Sequence, residues 1–268
     1  MAQIKLVVAG SAGRMGRALI EAVLGAPDLA LVAALEQKGH ASIGKAVGEL
    51  VGASGGVRIG DDVAKATASA DVFVDFTRPD GTIAHLAACR KQRINMVIGT
   101  TGFGEAQKKE IAAAARDIAI VMSPNFSVGV NVAFRLLDVA AQALGRGYDV
   151  EIVEAHHRHK VDAPSGTALR MGDVVAQALG RDLTRHAVYG REGVTGERKE
   201  ETIGFATVRG GDLVGDHTVM FIGDGERLEI SHRASSRANF ARGALRAARF
   251  VATRKSGFFD MADVLGFK

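Results

Sequence analysis

Three histidines fall within four residues, at His156, His157 and His159, and Lys160 follows at once. Then come Asp162, Pro164 and the turn Ser165-Gly166-Thr167. An imidazole titrates near neutrality and can give or take a proton, and an ammonium donates one and attracts anions. Ahead of the cluster, Asp149 to Glu154 alternates polar and apolar residues, which predicts a strand. Behind it, Ala168 to Leu179 has helical character. Proton donors therefore sit where a strand ends, and a glycine turn leads into a helix start. Backbone N–H groups at such a start point outward and favour an anion. Together these features predict a site for a small acidic molecule. A solvated basic loop would carry the same charges and stands as the bland alternative. Neither cysteine partners nor an HExxH spacing accompanies the histidines, so no metal is expected.

The stretch from Glu154 to Ala168 reads EAHHRHKVDAPSGTA. It resembles the signature of the 4-hydroxy-tetrahydrodipicolinate reductase (dihydrodipicolinate reductase) family, E-x-H-H-x-x-K-x-D-x-P-S-G-T-A, and matches every fixed position. The resemblance extends over essentially the whole chain. It implies an oxidoreductase of the diaminopimelate route to lysine, in which NADH and/or NADPH passes a hydride to C4 of a cyclic imine dicarboxylate, with loss of water. It also implies roles: His156 as proton donor or acceptor, Lys160 as proton donor, and His157, Gly166 and Thr167 as holders of the substrate carboxylates. Arg158, His159 and Asp162 are expected to support the site or face solvent. The family further implies a homotetramer built through the second domain's sheet.

A reductase site needs a dinucleotide-binding element, and the first half of the chain has one. Ile4 to Ala9 is a short apolar run broken by one lysine, as in a buried parallel strand. It ends in Gly10-Ser11-Ala12-Gly13-Arg14-Met15-Gly16, and a helix with Leu19, Ile20, Val23 and Leu24 on one face follows. Strand, glycine turn and helix is the context in which such glycines cradle a phosphate. The spacing is GxxGxxG rather than GxGxxG, so a ligand-free turn remains an alternative on pattern alone. The next strand, Ala30 to Leu35, ends at Glu36, placed to bind an adenine ribose hydroxyl. Further strands at residues 72, 96 and 118 alternate with helices. Their ends carry Thr77-Arg78-Pro79, then Gly99-Thr100-Thr101, then Ser123-Pro124-Asn125-Phe126. Arg78 faces either phosphate or solvent. The family resemblance assigns the GTT and Asn-Phe segments to the nicotinamide end of the cofactor. The same family favours an arginine directly after the ribose acid when NADPH is used, and Gln37 stands there instead.

The fold class read from this order is α/β: a Rossmann-like doubly wound parallel sheet plus a second α+β domain with an open mixed sheet. The expected boundaries are a dinucleotide-binding domain at 1–128, a substrate-binding and oligomerisation domain at 129–239, and a C-terminal helix and tail at 240–268 returning to the first domain. Thr202 to Val208, Leu213 to Ile222 and Arg227 to Arg233 alternate and read as antiparallel strands. Gly190 to Glu201 reads as a mobile loop.

The bulk numbers fit a soluble enzyme. The chain has 268 residues with 47% hydrophobic and 24% charged, enough for two cores. The single Cys89 leaves no intrachain disulfide and suits a reducing cytoplasm. It lies in an apolar helical pattern and reads as a buried structural thiol. No run is long enough to span a membrane, and no signal-type segment is evident, so a cytoplasmic location is expected. The net charge of +4 comes without a basic run of five, without tryptophan and with only two tyrosines, so no nucleic-acid partner is expected. Two rival functions use the same architecture. One is another nicotinamide enzyme, such as a semialdehyde dehydrogenase, which would want a catalytic cysteine. The other is a redox sensor that binds dinucleotide, which would have no use for the HHxxK cluster.

Overall fold

The computed structural model describes residues 2–268. The chain divides into two compact units. The first takes the chain up to Val128 and resumes over Arg237–Lys268, and the second is Gly129–Ser236.

The first unit alternates strand and helix: β1 (Ile4–Ala9), α1 (Arg14–Leu24), β2 (Leu29–Leu35), α2 (Val47–Val51), β3 (Ile59–Gly60), α3 (Val63–Thr67), β4 (Val72–Asp75), α4 (Pro79–Gln92), β5 (Asn95–Ile98), α5 (Glu105–Ala114) and β6 (Ala119–Met122). The second unit holds most of α6 (Val128–Leu144), then β7 (Asp149–His156), α7 (Gly166–Ala178), α8 (Leu183–His186), β8 (Ala187–Tyr189), β9 (Ile203–Arg209), β10 (Gly215–Gly223) and β11 (Glu226–Ala234). The chain then returns to the first unit with α9 (Ala238–Ala252), β12 (Gly257–Phe259) and α10 (Met261–Leu265).

The first sheet has seven strands in the order β12-β6-β5-β4-β1-β2-β3, and every pairing is parallel. Sequence order reverses on either side of β1, and in such sheets ligands gather beyond the strand C-termini at that reversal. The strand β1 is buried on both faces. Leu6 and Val8 pack with Leu19, Ile20 and Ala244, while Val7 packs with Phe73, Leu86 and Cys89 on the other side. Residues on a strand point alternately to opposite faces, so one apolar run feeds two cores. Burial pushes the Cys89 thiol far above its ordinary range, which makes it inert structure.

The second sheet has the order β11-β10-β7-β9-β8. The strand β10 runs antiparallel to both β7 and β11. The strand β9 runs parallel to β7 and β8. The expectation of three antiparallel strands thus holds for two of them and is corrected for β9. One face packs Ile152, Phe205, Val219 and Phe221 against Leu137, Met171 and Val175 of α6 and α7. The segment from Gly190 to Glu201 has no regular structure, but it is tied down. Arg191 holds Glu151 through two 2.9 Å hydrogen bonds, and Arg198 reaches Glu151 at 3.0 Å and Asp149 at 2.5 Å.

Candidate active site

In the second unit the strand β7 carries Glu154 and His156 on its helix-covered face, because residues two apart on a strand share a face. Glu154 is 1% exposed and gathers four close donors. Arg209 of β9 donates to it twice, at 2.7 and 2.8 Å. His156 Nδ1 lies 2.5 Å from its Oε2, and the Ser165 backbone N–H donates to its Oε1 at 3.0 Å. Burial alone would push this carboxyl up. The Arg209 and His156 hydrogen bonds overcome that, and the carboxyl lies below the usual range.

The chain beyond His156 is pinned by the loop that follows β9. His156 O accepts from Gly210 N–H at 3.0 Å, and His157 N–H donates to Leu213 O at 2.8 Å. Lys160 Nζ lies on Asp162, 2.7 and 2.8 Å from its two oxygens. That pairing holds Asp162 below the usual carboxylate range. Ser165 caps α7: its Oγ accepts from Ala168 N–H at 3.1 Å, a contribution of about 1 kcal/mol to the helix. Gly166 and Thr167 form the first turn of α7, and nothing lies within 4 Å of where a Gly166 Cβ would be. Arg158 and His159 are exposed.

Three participants were not singled out by the sequence. Glu154 lay in the motif without a role. Arg209 and His217 lie far along the chain. His217 of β10 is 4% exposed, its ring meets the His156 ring edge-on at 5.1 Å between centroids, and its Nε2 is 2.9 Å from Ser165 Oγ. Burial, and then the neighbouring His156, push its pKa down to about 4. The charge of Lys160 opposes its protonation as well.

In the first unit the turn after β1 is built for close approach. Gly10 has φ +72°, and a Cβ there would lie 2.8 Å from Phe76 O. A Cβ on Gly16 would lie 2.1 Å from Gly10 O, so this glycine lets α1 pack on the turn. Glu36 reaches the same turn, and its Oε1 accepts from Ala12 N–H at 2.8 Å. A cavity of about 700 Å³ is lined by Gly10, Ala12, Gly13, Glu36, Gln37, Lys38, Thr77, Arg78 and His85, among others. The buried Ser11 Oγ has no partner among the described residues. A glycine cradle, a carboxylate at the end of β2 and basic side chains on the rim suit a dinucleotide. Arg14 and Met15 open α1, and Arg14 is exposed. It lies near enough to Arg237 to oppose that residue's charge. Nothing local in the sequence marked Arg237.

The other expected cofactor residues lie at the ends of β5 and β6, and none of them lines this cavity. Gly99 is pressed by the Phe76 ring, 2.1 Å from where a Cβ would sit. Thr100 is buried, and its hydroxyl lies 3.1 Å from Asp75 Oδ1. Asp75 also holds Thr77, Thr82 and His85, the last at 2.7 Å. Thr101 and Pro124 are exposed. Ser123 Oγ donates to Asn125 O, and Phe126 is buried beside Phe76. In this group Thr100, Ser123 and Phe126 have side chains committed to structure. Among the described residues no group of three or more His, Cys, Asp or Glu is arranged to hold a metal.

Comparison with known proteins agrees with both halves of this description. The family model described as dihydrodipicolinate reductase, N-terminus, matches residues 4–126, and the one described as dihydrodipicolinate reductase, C-terminus, matches residues 129–265. The chain is 63% identical to the 4-hydroxy-tetrahydrodipicolinate reductase of Nitrosomonas europaea over 268 residues, covering all of both chains. It is 61% identical to that of Laribacter hongkongensis, again over the full length of both. Among solved structures it resembles a dipicolinate-bound dihydrodipicolinate reductase from Paenisporosarcina sp. TG-14, with TM-score 0.77 and 25% identity, covering 97% of this chain and 98% of that one. A likeness to GenD2 from gentamicin A biosynthesis, solved in complex with NAD, has TM-score 0.61 at 14% identity over 94% of this chain and 87% of that one, and speaks to the fold alone.

Proposed function

This chain belongs to the dihydrodipicolinate reductase family, and on that premise we propose that it reduces 4-hydroxy-tetrahydrodipicolinate to tetrahydrodipicolinate, with loss of water, in the diaminopimelate route of lysine biosynthesis. The observation that carries this reading is the folded Glu154–Ala168 stretch. It carries an imidazole at the end of β7, an ammonium four residues on and the N-terminus of α7 just beyond, all in the second unit.

A bound reduced nicotinamide supplies the hydride. The chain's own residues do the rest. Water leaves first, the C4 hydroxyl departing with a proton from the carbon next to the imine. Hydride addition at C4 of the resulting conjugated alkene then leaves a carbanion-like centre at that neighbouring carbon, and His156 and Lys160 Nζ are the groups able to give it a proton. The α7 start at Gly166 and Thr167, with His157, holds the substrate carboxylates. In the first unit Gly10 to Met15 cradle the pyrophosphate, and Glu36 accepts from the adenine ribose. The Gly99–Thr101 and Ser123–Phe126 segments contribute at the nicotinamide end, chiefly through backbone groups, since three of their side chains are already committed. The experiment is direct: wild-type protein with NADH should lose nicotinamide absorbance when the substrate is generated in situ. No loss with either cofactor would refute the reading.

Cofactor choice is a second expectation. The Glu36 carboxylate faces the turn and repels a 2′-phosphate. Gln37 adds no charge. Lys38 lines the cavity and Arg14 is exposed at the turn, and a lysine offers a point charge without guanidinium stacking. Both cofactors should work, with kcat/KM for NADH equal to or above that for NADPH. An NADPH preference of about a hundredfold, nearly 3 kcal/mol, would mean that Lys38 or Arg14 dominates over Glu36.

A cytoplasmic location is proposed on the biosynthetic role of the family; among the described residues no helix is long and apolar enough to cross a membrane. A homotetramer is the proposed assembly. Val153, Ala155, Ala206, Val208 and Met220 lie on the face of the second sheet away from α6 and α7, and all remain at least partly exposed. Open apolar sheet faces of this kind are normally covered.

A further inference from the structure

We propose that Glu154 is the positioning residue for His156: it fixes the imidazole with the Nδ1 proton turned inward, so that Nε2 is the atom through which protons are exchanged.

The donors around Glu154 allow only one placement of the proton it shares with His156. Arg209 meets Glu154 with two N–H groups and Ser165 meets it with a backbone N–H. None of these can accept a proton, so each requires an acceptor on the carboxylate. Thr207 Oγ1 donates more weakly to Oε1, at 3.4 Å, and the remaining close partner is His156 Nδ1, 2.5 Å from Oε2. Two lone pairs cannot face each other at that distance, so one proton lies between the atoms. With Arg209 bound to both oxygens, that proton stays on nitrogen. A neutral imidazole carries a single N–H, so its other nitrogen is then a base. When the ring is protonated, the second proton is on Nε2.

The surroundings of Nε2 agree. It makes no hydrogen bond with any described residue. Opposite it lies Gly215, where a Cβ would sit 2.9 Å from Nε2. Any side chain there would obstruct the atom, and glycine keeps its approach open. The other charged or titratable groups nearby are Arg209 from β9, His217 from β10, His232 from β11, and Lys160 and Asp162 from the pinned segment. His217 stays neutral near pH 7, so it does not compete with His156 for Glu154 as a second imidazolium. Glu154 also fixes the Ser165 N–H at the mouth of α7. One carboxylate therefore orients both the proton-transfer ring and the turn that meets the anion.

What the proton is used for rests on the reductase reading, but the tautomer does not. The test reads both separately on the full-length protein. Long-range ¹H–¹⁵N spectra of the histidine rings, recorded above the histidine titration range, report which nitrogen carries the proton. His156 signals are assigned by their loss in His156→Gln. The expected wild-type result is protonation at Nδ1. Glu154→Gln keeps the shape but presents an amide N–H₂ where a donor must be received. It should abolish the Nδ1 preference and lower turnover by about tenfold, with NADH affinity unchanged as evidence of folding. A wild-type His156 protonated at Nε2 overturns the proposal, even if Glu154→Gln does not fold. So does a folded Glu154→Gln with wild-type spectrum and turnover. A wild type with the Nδ1 tautomer but no turnover of the substrate by either cofactor would refute the reductase reading and leave Glu154 positioning His156.

Discussion

Lys160→Ala and His156→Ala should each lower turnover at saturating substrate by about a hundredfold or more, the usual cost of one positioned proton donor. NADH affinity should stay near the wild-type value in both. Both residues belong to the second unit, whereas the Gly10–Gly16 turn and Glu36 belong to the first. In the free protein Lys160 Nζ is held by Asp162, whose side chain is 57% exposed. Exposed pairs of this kind contribute only about 0–1 kcal/mol. The ammonium is therefore aimed by Asp162 but not trapped by it, and a substrate carboxylate can draw it away. Asp162→Asn should accordingly cost far less than Lys160→Ala. Steady-state kinetics with a separate fluorescence titration of NADH would decide the matter. Near-normal turnover in both single variants would remove this stretch from the mechanism.

The part of this site that is contiguous in sequence was legible there. Alternation over Asp149–Glu154 gave the strand, and the Ser-Gly-Thr turn gave the start of α7. The parallel sheet was legible for a similar reason: short apolar runs alternated with helical patterns along the first half of the chain, and those at Ile4 and Met96 ran straight into glycine turns. What was missed depended on register. Glu154 lies opposite His217 of β10 and Thr207 of β9, and His156 lies opposite Arg209. Nothing in a strand's own residues states which residue of another strand it will face. One signal was available, since Glu154 and His156 are two apart and so had to share a face. The strands β3 and β12 were missed because two or three residues are too few to show a period. The direction of β9 was misread because alternation is the same in parallel and antiparallel strands. Thr100 shows the limit of a motif read locally: its position at a strand end was right, but its hydroxyl serves Asp75.

Arg209→Met should destabilise the second unit by about 3 kcal/mol, because it leaves a buried carboxylate without its counter-ion. The lower end of the usual range is expected, since Arg209 is itself 20% exposed and water can enter from its side. The chain offers a clean probe. It has no tryptophan and two tyrosines, and Tyr148 and Tyr189 both lie in the second unit. Tyrosine fluorescence in urea therefore follows that unit alone. The effect should also depend on pH in a defined direction. In the wild type the Glu154 pKa is lowered, so its contribution is present above the ordinary carboxylate range and fades as pH falls through the lowered value. In Arg209→Met the buried carboxylate, left with only His156 and the Ser165 N–H as close partners, gains by taking up a proton. The stability gap between the two proteins should thus narrow as pH falls from 7 towards 4. Glu154→Gln combined with Arg209→Met should be less damaging than the sum of the single changes, because no orphaned charge remains. A loss under about 1 kcal/mol, or a gap that does not change with pH, would show that water already neutralises Glu154 and that Arg209 is not its essential counter-ion.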